Sequence, residues 1–243
     1  MGLIGARAKP SAATRQHRRA RSRPPSVPAV LSVSFLLGAI PFSGVAARLV
    51  AGVDLRRTGT GTVSGTGLYE VAGFGPLALA GSLDVAKGAV GPLLAGRNRR
   101  VLGAMAAGAA VTGHNWSPVL RGAGGRGISP ALGAGLVLAP EAVVVLGVGL
   151  GGGRLLRQSG LGTFIAAVAL FPVLARRRGV PGVALAFAIA LPMLVKRVTG
   201  NDGAATGSST RTYVWRLLFD HDPPDDVAAD TDAPNGLPAK RDG

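Results

Sequence analysis

The sequence predicts an all-α polytopic membrane protein. Hydrophobic residues make up 47% of the chain, and the mean hydropathy of +0.35 is high for a soluble domain. The apolar residues gather in runs that approach the roughly 20 residues needed to cross a bilayer as a helix. The chain also contains 38 glycines, and small residues let helices pack closely in lipid.

About six apolar segments, some of them short or re-entrant, alternate with glycine-rich polar loops. Pro41 predicts a break in the first segment and Pro140 a break in the fourth, as membrane helices tolerate. The third segment is too short to cross a bilayer. In chain order, the segments are residues 29–50, 71–95, 101–112, 128–150, 161–175 and 180–195.

Both ends of the chain are polar and are predicted to be disordered. Residues 1–27 form a basic tail suited to anionic headgroups, and residues 201–243 form an acidic, proline-rich tail. The segment between them, 28–200, is predicted to form the membrane-embedded domain. Within the second tail, residues 213–219 are interpreted as an interfacial anchor, because Trp and Tyr favour the headgroup level.

The net charge of +15 indicates an anionic partner. The basic residues lie in short clusters without interleaved aromatics, which argues against nucleic acid and favours membrane lipid or a phosphorylated substrate. By the positive-inside rule, the clusters at 54–57, 176–178 and 196–197 are predicted to be cytoplasmic. The clusters at 1–23 and 97–100 compete with that assignment.

The chemistry available to the chain is limited. There is no cysteine, which excludes disulfides and thiolate catalysis. No two histidines have metal-ligand spacing, so neither a metal nor a cofactor is predicted.

Asp84 and Lys87 place two ionisable groups inside the second apolar segment. Their spacing of three residues puts them on one helical face. Charged groups at this depth are costly and usually mark a pathway or a site. A mutually neutralising pair that holds helix packing is the alternative interpretation, and both remain open at this stage.

The polar loop at 113–127, GHNWSPVLRGAGGRG, is the strongest candidate for a binding site. Gly124, Gly125 and Gly127 allow backbone N–H groups to form an anion nest. Arg126 adds a fork of donors suited to phosphate oxygens. Residues 122–127 also match G-x-G-x-x-G, but no βαβ unit surrounds them, so a dinucleotide site is unsupported.

Three motifs in this order resemble the membrane-integral, acyl-phosphate-dependent glycerol-3-phosphate acyltransferases (the PlsY type). LGAIPF at 37–42 and GVDLR at 52–56 resemble the first motif, LDVAKG at 83–88 the second, and GHN at 113–115 with GGRG at 124–127 the third. The resemblance covers about residues 35–200. The chain is identified as a divergent member of this family.

The resemblance implies transfer of a fatty acyl group from acyl phosphate to the sn-1 hydroxyl of glycerol 3-phosphate. The product would be lysophosphatidic acid for phospholipid biosynthesis. Acyl phosphate, glycerol 3-phosphate and membrane lipid would be the partners, with no cofactor. The protein would be a multi-pass protein of a bacterial plasma membrane, with its site on the cytoplasmic side.

The motifs also suggest residue roles. Arg126 with the backbone of Gly124, Gly125 and Gly127 is predicted to bind one phosphate, and Thr60 with Arg56 or Arg57 the other. His114, Asn115, Gly59 and Gly61 are predicted to shape the loops, and a simple structural cap is an equal interpretation of His114. Asp84 and Lys87 would support the helix under the site, and Lys196 and Arg197 form a possible third motif. No residue is assigned as a general base.

The chain departs from the family pattern at several positions. Where the pattern has GSGNxGATNxxR, Thr62 and Gly67 replace asparagines and Glu70 replaces a basic residue. Ala123 replaces a lysine, and Leu191 and Leu194 replace the His and Asn of the closing motif. These changes predict a weakened enzyme, a changed acceptor, or a degenerate homologue that binds phosphate or anionic lipid without turnover. A small-anion transporter, suggested by glycine loops between broken helices, is ranked last.

Overall fold

In the computed structural model, residues 24–58, 61–201 and 210–219 are described, and every regular element in these ranges is helical. This confirms the all-α prediction. The helices are α1 (Val27–Gly38), α2 (Phe42–Ala51), α3 (Gly65–Ala72), α4 (Phe74–Ala95), α5 (Arg100–Asn115), α6 (Ile128–Leu138), α7 (Pro140–Leu155), α8 (Ser159–Arg178), α9 (Val180–Thr199) and α10 (Thr210–Phe219).

Within the described ranges, four helical segments are long and apolar enough to cross a membrane, judged by length and composition. The first combines α1 and α2, and the other three are α4, α8 and α9. The shorter α6 is also apolar. These segments agree with the predicted polytopic membrane fold.

Both predicted proline breaks are present. α1 ends at Gly38 and α2 begins at Phe42, directly after Pro41. Pro140 is the first residue of α7, where its missing N–H breaks no helical hydrogen bond. The predicted segment 128–150 therefore contains two helices, α6 and α7.

Several predicted loop bounds are wrong because helices continue into glycine-rich sequence. α3 begins inside the predicted loop 54–67, and α4 begins only after Gly73. The predicted loop 113–127 starts later, because α5 runs to Asn115. The predicted link 151–160 shrinks to residues 156–158, since α7 reaches Leu155 and α8 begins at Ser159.

α5 covers the short third segment and is a 16-residue helix at the centre of the bundle; its partial or re-entrant character stays a prediction. Ala106, Ala107 and Ala110 are fully buried on it. A Cβ at Gly38 of α1 would overlap the backbone of Ala110. Such close approach is typical of helices that associate through small residues.

The loops lie at the two ends of the bundle, which we call the Pro25 end and the Asn201 end. At the Pro25 end, the Arg99 guanidinium donates to the Pro25 carbonyl (2.8 Å), beside the turn at Gly179. At the Asn201 end, the Asn201 side chain contacts both Gly61 and Gly124.

One predicted membrane orientation is wrong. Helices α8 and α9 form a hairpin through Gly179. The basic cluster 176–178 therefore lies at the Pro25 end with residues 97–100. Clusters 54–57 and 196–197 lie at the Asn201 end, so the three clusters predicted to be cytoplasmic do not share one side.

The described part of the predicted C-terminal tail is a helix. α10 packs against α8 and α9, and Arg197 Nη1 donates to the Leu217 carbonyl (3.1 Å). Residues 213–219, set apart from the rest of the tail in the sequence analysis, thus belong to a helix, and their role as an interfacial anchor stays a prediction. Residues 1–23, which make up most of the predicted basic tail, lie outside the described ranges.

Candidate functional site

Asp84 and Lys87 form a buried ion pair on α4, with Nζ 2.7 Å from Oδ1 and both side chains 3% exposed. The hydroxyl of Ser43 donates to the other carboxylate oxygen (2.7 Å). Lys87 also donates to the Ile40 carbonyl (2.6 Å), which lies at the break between α1 and α2, where the regular helical hydrogen bonds stop. These contacts favour the interpretation that the pair holds helix packing.

Asn201 connects the two glycine-rich loops. Its Nδ2 donates to the Gly61 carbonyl (2.6 Å), and its Oδ1 accepts from the Gly124 N–H (3.2 Å). The Val63 N–H donates to the Gly124 carbonyl (3.1 Å). Segments 61–63 and 122–125 are therefore held side by side, and no sequence motif had pointed to Asn201.

We expect Asn201→Ala to speed amide hydrogen exchange at Val63 and Gly124 by about tenfold. The substitution removes three hydrogen bonds between the loops, each contributing roughly 0.5–1.5 kcal/mol. Hydrogen–deuterium exchange followed by mass spectrometry measures the effect. Asn98→Ala, an exposed site at the other end, is the matched control. Unchanged exchange in Asn201→Ala would show that the loops hold together without this side chain.

The predicted anion nest is wrong for Gly124 and Gly125. The Gly124 N–H donates to Asn201, and the Gly125 N–H donates to the His114 carbonyl (3.1 Å). Glycine is needed for close packing instead, because a Cβ at Gly124 or Gly125 would overlap His114. Gly127 has a φ of +80° directly before α6, a conformation that favours glycine.

His114 and Asn115 lie in the last turn of α5, not in a loop. The Asn115 amide donates to the Pro192 carbonyl (2.8 Å) and so joins α5 to α9. His114 Nδ1 lies 4.0 Å from Asp84 Oδ1. Both side chains therefore brace helices beneath the loop.

Lys196 is buried under the loop. Its Nζ donates to the Gly122 carbonyl (3.1 Å) and lies 5.3 Å from the centre of the Trp116 ring. A cation over an aromatic face is electrostatically favourable. Lys196 thus stabilises the loop from within.

The guanidinium of Arg56 forms an ion pair with the carboxylate of Asp54. Its Nη2 lies 2.6 Å from Asp54 Oδ2, and Arg48 reaches the same oxygen at 2.9 Å. The hydrogen bonds from Arg56 hold the pKa of Asp54 well below its usual value, so this carboxylate stays charged and paired at neutral pH. Neither Arg56 nor Arg57 is among the described residues that line a cavity at the Asn201 end of the bundle. Thr60, predicted to bind the same phosphate, and Gly59, predicted to shape the loop, lie outside the described residues.

This cavity, of about 770 Å³, lies at the Asn201 end. Its walls include cationic side chains and apolar ones, with Leu77, Leu132 and Leu150 among the latter. A cationic region next to an apolar wall suits a phosphorylated amphiphile. The charged side chains that line it are Arg126, Arg154, Arg157, Arg197, Glu70 and Asp84.

Backbone carbonyls orient two of these arginines. Arg126 Nη1 donates to the Lys196 carbonyl (2.8 Å) near the end of α9. Arg197 Nη1 donates to the Gly160 carbonyl (2.8 Å), and its Nη2 donates to the Thr163 hydroxyl. Arg126 and Arg197, predicted from separate motifs, therefore line one cavity.

Arg154 and Arg157 were missed from the sequence. They are exposed at the end of α7 and in the turn that follows, within a segment interpreted only as a polar link. Their positive charge was the only signal available. Phe219 of α10 also lines the cavity, although its segment was predicted to be a tail.

Three of the departures from the family pattern also face this cavity. Thr62, Gly67 and Glu70 all line it, and Glu70 is exposed on α3. The predicted location of Glu70 near a phosphate site thus agrees with the position of Arg126 in the same cavity.

The fold and the cavity define a helical integral membrane protein with an arginine-lined cavity at one end. Residues 28–201 match the family model described as glycerol-3-phosphate acyltransferase. The chain belongs to this family, as the three motifs had predicted.

Curated relatives named glycerol-3-phosphate acyltransferase cover the chain to different extents. The Thermus thermophilus protein is 36% identical over 166 residues, which are 66% of this chain and 82% of the relative. "Glycerol-3-phosphate acyltransferase 4" of Dehalococcoides mccartyi is 33% identical over 210 residues, or 79% and 88%. The Syntrophotalea carbinolica protein is 42% identical over 121 residues. That match spans 47% of this chain and only 60% of the relative. The match to a second D. mccartyi protein, "Glycerol-3-phosphate acyltransferase 5", covers 59% of that relative's length.

Two solved structures share the fold. One is a crystal structure of PlsY, an integral membrane glycerol 3-phosphate acyltransferase, in its glycerol 3-phosphate form. It matches with a TM-score of 0.67 and 25% identity, over 82% of this chain and 95% of that chain. The lysophosphatidic acid form matches with a TM-score of 0.66 and 24% identity over the same shares.

Proposed function

We propose that the protein transfers a fatty acyl group from acyl phosphate to the sn-1 hydroxyl of glycerol 3-phosphate, giving lysophosphatidic acid for phospholipid synthesis. The arginine-lined cavity next to an apolar wall is the observation that carries the proposal. Both substrates have a phosphate, and the donor also has an acyl chain. The PlsY neighbour described as the glycerol 3-phosphate form supports the same acceptor.

In the proposed reaction, the sn-1 oxygen forms a bond to the acyl carbonyl carbon. The bond between that carbon and the phosphate oxygen breaks, and phosphate leaves with the electron pair. The hydroxyl proton passes to the departing phosphate, so no side chain is needed as a general base. Because the donor is already activated, positioning and stabilisation of negative charge account for most of the catalysis.

The arginines have distinct places in this scheme. Arg126 lies beside Gly127 and Ile128 at one wall, and Arg197 lies near Gly160 at another. We assign Arg126 to one substrate phosphate and Arg197 to charge stabilisation nearby. Leu77 and Leu132 offer the acyl chain an apolar wall, which it would enter from the bilayer.

We place the protein in a bacterial plasma membrane with the Asn201 end facing the cytoplasm, where the charged acceptor is found. The relatives named above come from bacteria. Because the chain has no cysteine, single cysteines at Gln158 and Asn98 would report sidedness through an impermeant maleimide. Labelling of Gln158→Cys from outside intact cells would refute this orientation.

Purified full-length protein with acyl phosphate and labelled glycerol 3-phosphate tests the proposed reaction. Lysophosphatidic acid above the level of an Arg126→Ala control is the expected result. Absence of product would contradict the acyl transfer. Retained glycerol 3-phosphate binding without product would identify a degenerate homologue, and uptake into proteoliposomes would identify a transporter.

Glu70 favours the degenerate homologue as the second candidate, since it places a negative charge where a phosphate is proposed to bind. We expect Glu70→Arg to lower KM for glycerol 3-phosphate about five- to tenfold, by exchanging a repulsion for an attraction. Steady-state kinetics on the unchanged protein and on Glu70→Arg measure the change. The KM of Glu70→Gln should fall between the KM values of these two proteins. Equal KM values in all three proteins would show that Glu70 does not face the phosphate.

A further inference from the structure

A second cavity lies at the Pro25 end, opposite the proposed acyl-transfer site. Its volume is about 660 Å³, and it is enclosed by the α4–α5 turn, the α6–α7 break and the α8–α9 turn. Arg97, Arg100 and Arg178 line it. No motif and no assigned activity accounts for this cavity.

The charge at this end is strongly positive. Among the described residues of the turns there, Glu141 is the only acid, and it binds Arg178 through two hydrogen bonds of 2.7 and 2.8 Å. Arg97 and Arg100 take part in none of the ion pairs of the described chain. The arginines of these turns are Arg97, Arg99, Arg100, Arg176, Arg177 and Arg178.

The same cavity has an apolar wall that continues onto the outside of the bundle. Leu93 of α4 and Leu136 of α6 line it and are 64% and 60% exposed. Both helices are apolar, and α4 is long enough to cross a membrane. The cavity therefore joins a cationic rim to a surface that faces lipid.

This arrangement fits a lipid better than a free anion. A soluble phosphate would leave the exposed leucines without a contact, and a neutral lipid would leave the two guanidinium groups without an anionic partner. An anionic phospholipid matches both, because arginine binds phosphate oxygens in a fixed fork and basic clusters at membrane ends attract anionic headgroups. The volume also lies within the range of ligand sites, roughly 300–1,000 Å³.

We propose that this cavity binds an anionic phospholipid from the surrounding bilayer. Arg97 and Arg100 contact its headgroup phosphate, and its acyl chains lie along Leu93 and Leu136. The bound lipid braces the α6–α7 break at Ala139, which also lines the cavity. The proposal does not rest on acyl transfer, whose residues lie at the Asn201 end.

Native mass spectrometry of the full chain, titrated with phosphatidylglycerol or phosphatidylcholine, tests the site. We expect one phosphatidylglycerol to bind with clear preference over phosphatidylcholine. Arg97→Gln and Arg100→Gln should each weaken that binding about fivefold, since each basic group near a membrane surface contributes about 1 kcal/mol. The thermal stabilisation by phosphatidylglycerol should fall in parallel.

Arg176→Gln with Arg177→Gln is the matched control, because these exposed arginines share the Pro25 end but do not line the cavity. This double variant should keep the lipid preference. An equal loss in the control would show general attraction to a basic surface and would overturn the site. Unchanged binding in Arg97→Gln and Arg100→Gln, or displacement of the lipid by inorganic phosphate alone, would overturn it too. The single variants keep acyl-transfer activity if they fold, which separates this test from that of the proposed reaction.

Discussion

Arg126→Ala is expected to lower kcat/KM for lysophosphatidic acid formation by about 100-fold. Removing one partner of a hydrogen-bonded charge pair costs roughly 2–5 kcal/mol, which corresponds to such a loss in transition-state binding. Arg126 lines the cavity and is oriented by the Lys196 carbonyl at 2.8 Å. Initial rates at varied glycerol 3-phosphate and acyl phosphate concentrations give the comparison.

Two control variants sharpen this prediction. Arg126→Lys keeps the charge and should retain activity within about tenfold, because lysine still binds phosphate as a point charge. Arg121→Ala removes an exposed arginine from the same loop, outside the cavity walls, and should leave kcat/KM nearly unchanged. If Arg121→Ala lost as much activity as Arg126→Ala, the effect would be one of net charge and not of a phosphate ligand.

Removing either partner of the Asp84–Lys87 pair is expected to destabilise the fold by about 3–5 kcal/mol. Lys87→Met leaves the buried Asp84 carboxylate without its cation and removes the donor to the Ile40 carbonyl. Asp84→Ala leaves a buried ammonium with no carboxylate and deprives Ser43 of its acceptor. Thermal unfolding of the purified variants in one detergent measures the loss.

A double variant separates the pair from its surroundings. Asp84→Ala with Lys87→Met removes both charges, so it should lose less stability than the sum of the single changes. Ser82→Ala, on the exposed side of the same helix, should have little effect. Additive losses in the double variant would show that the two charges act independently, against the geometry of the ion pair.

The features predicted correctly from the sequence depend on local geometry. Pro41 and Pro140 break helices because a proline cannot donate to the helical pattern wherever it lies. Asp84 and Lys87 meet because three residues of helix bring them to one face. The order of the motifs identified the family without any knowledge of packing.

The wrong predictions concern glycines, whose role depends on their neighbours. Gly113 lies inside α5. A glycine is needed there because α1 packs so closely that a Cβ would overlap the Phe35 carbonyl. In sequence, the same glycine resembles the start of a loop. Gly124 was predicted to donate to an anion, but the Asn201 side chain, distant in sequence, accepts its N–H.

The cavity could be predicted only in part. Arg126 and Arg197 stood in recognisable motifs, whereas Arg154 and Arg157 come to the same cavity through the packing of α7 against α8. Arg56 shows the opposite case. The motif assigned its guanidinium to a phosphate, but the carboxylate of nearby Asp54 binds it. Charge alone therefore did not distinguish ligands of a substrate from partners within the protein.

α10 shows that the shared part of a family does not mark the limits of a working site. The family model stops at residue 201, yet Phe219 walls the cavity and the Leu217 carbonyl receives a hydrogen bond from Arg197. A protein shortened at the family boundary would keep every motif and lose this wall. We therefore expect residues beyond the family match to contribute to substrate preference in this chain.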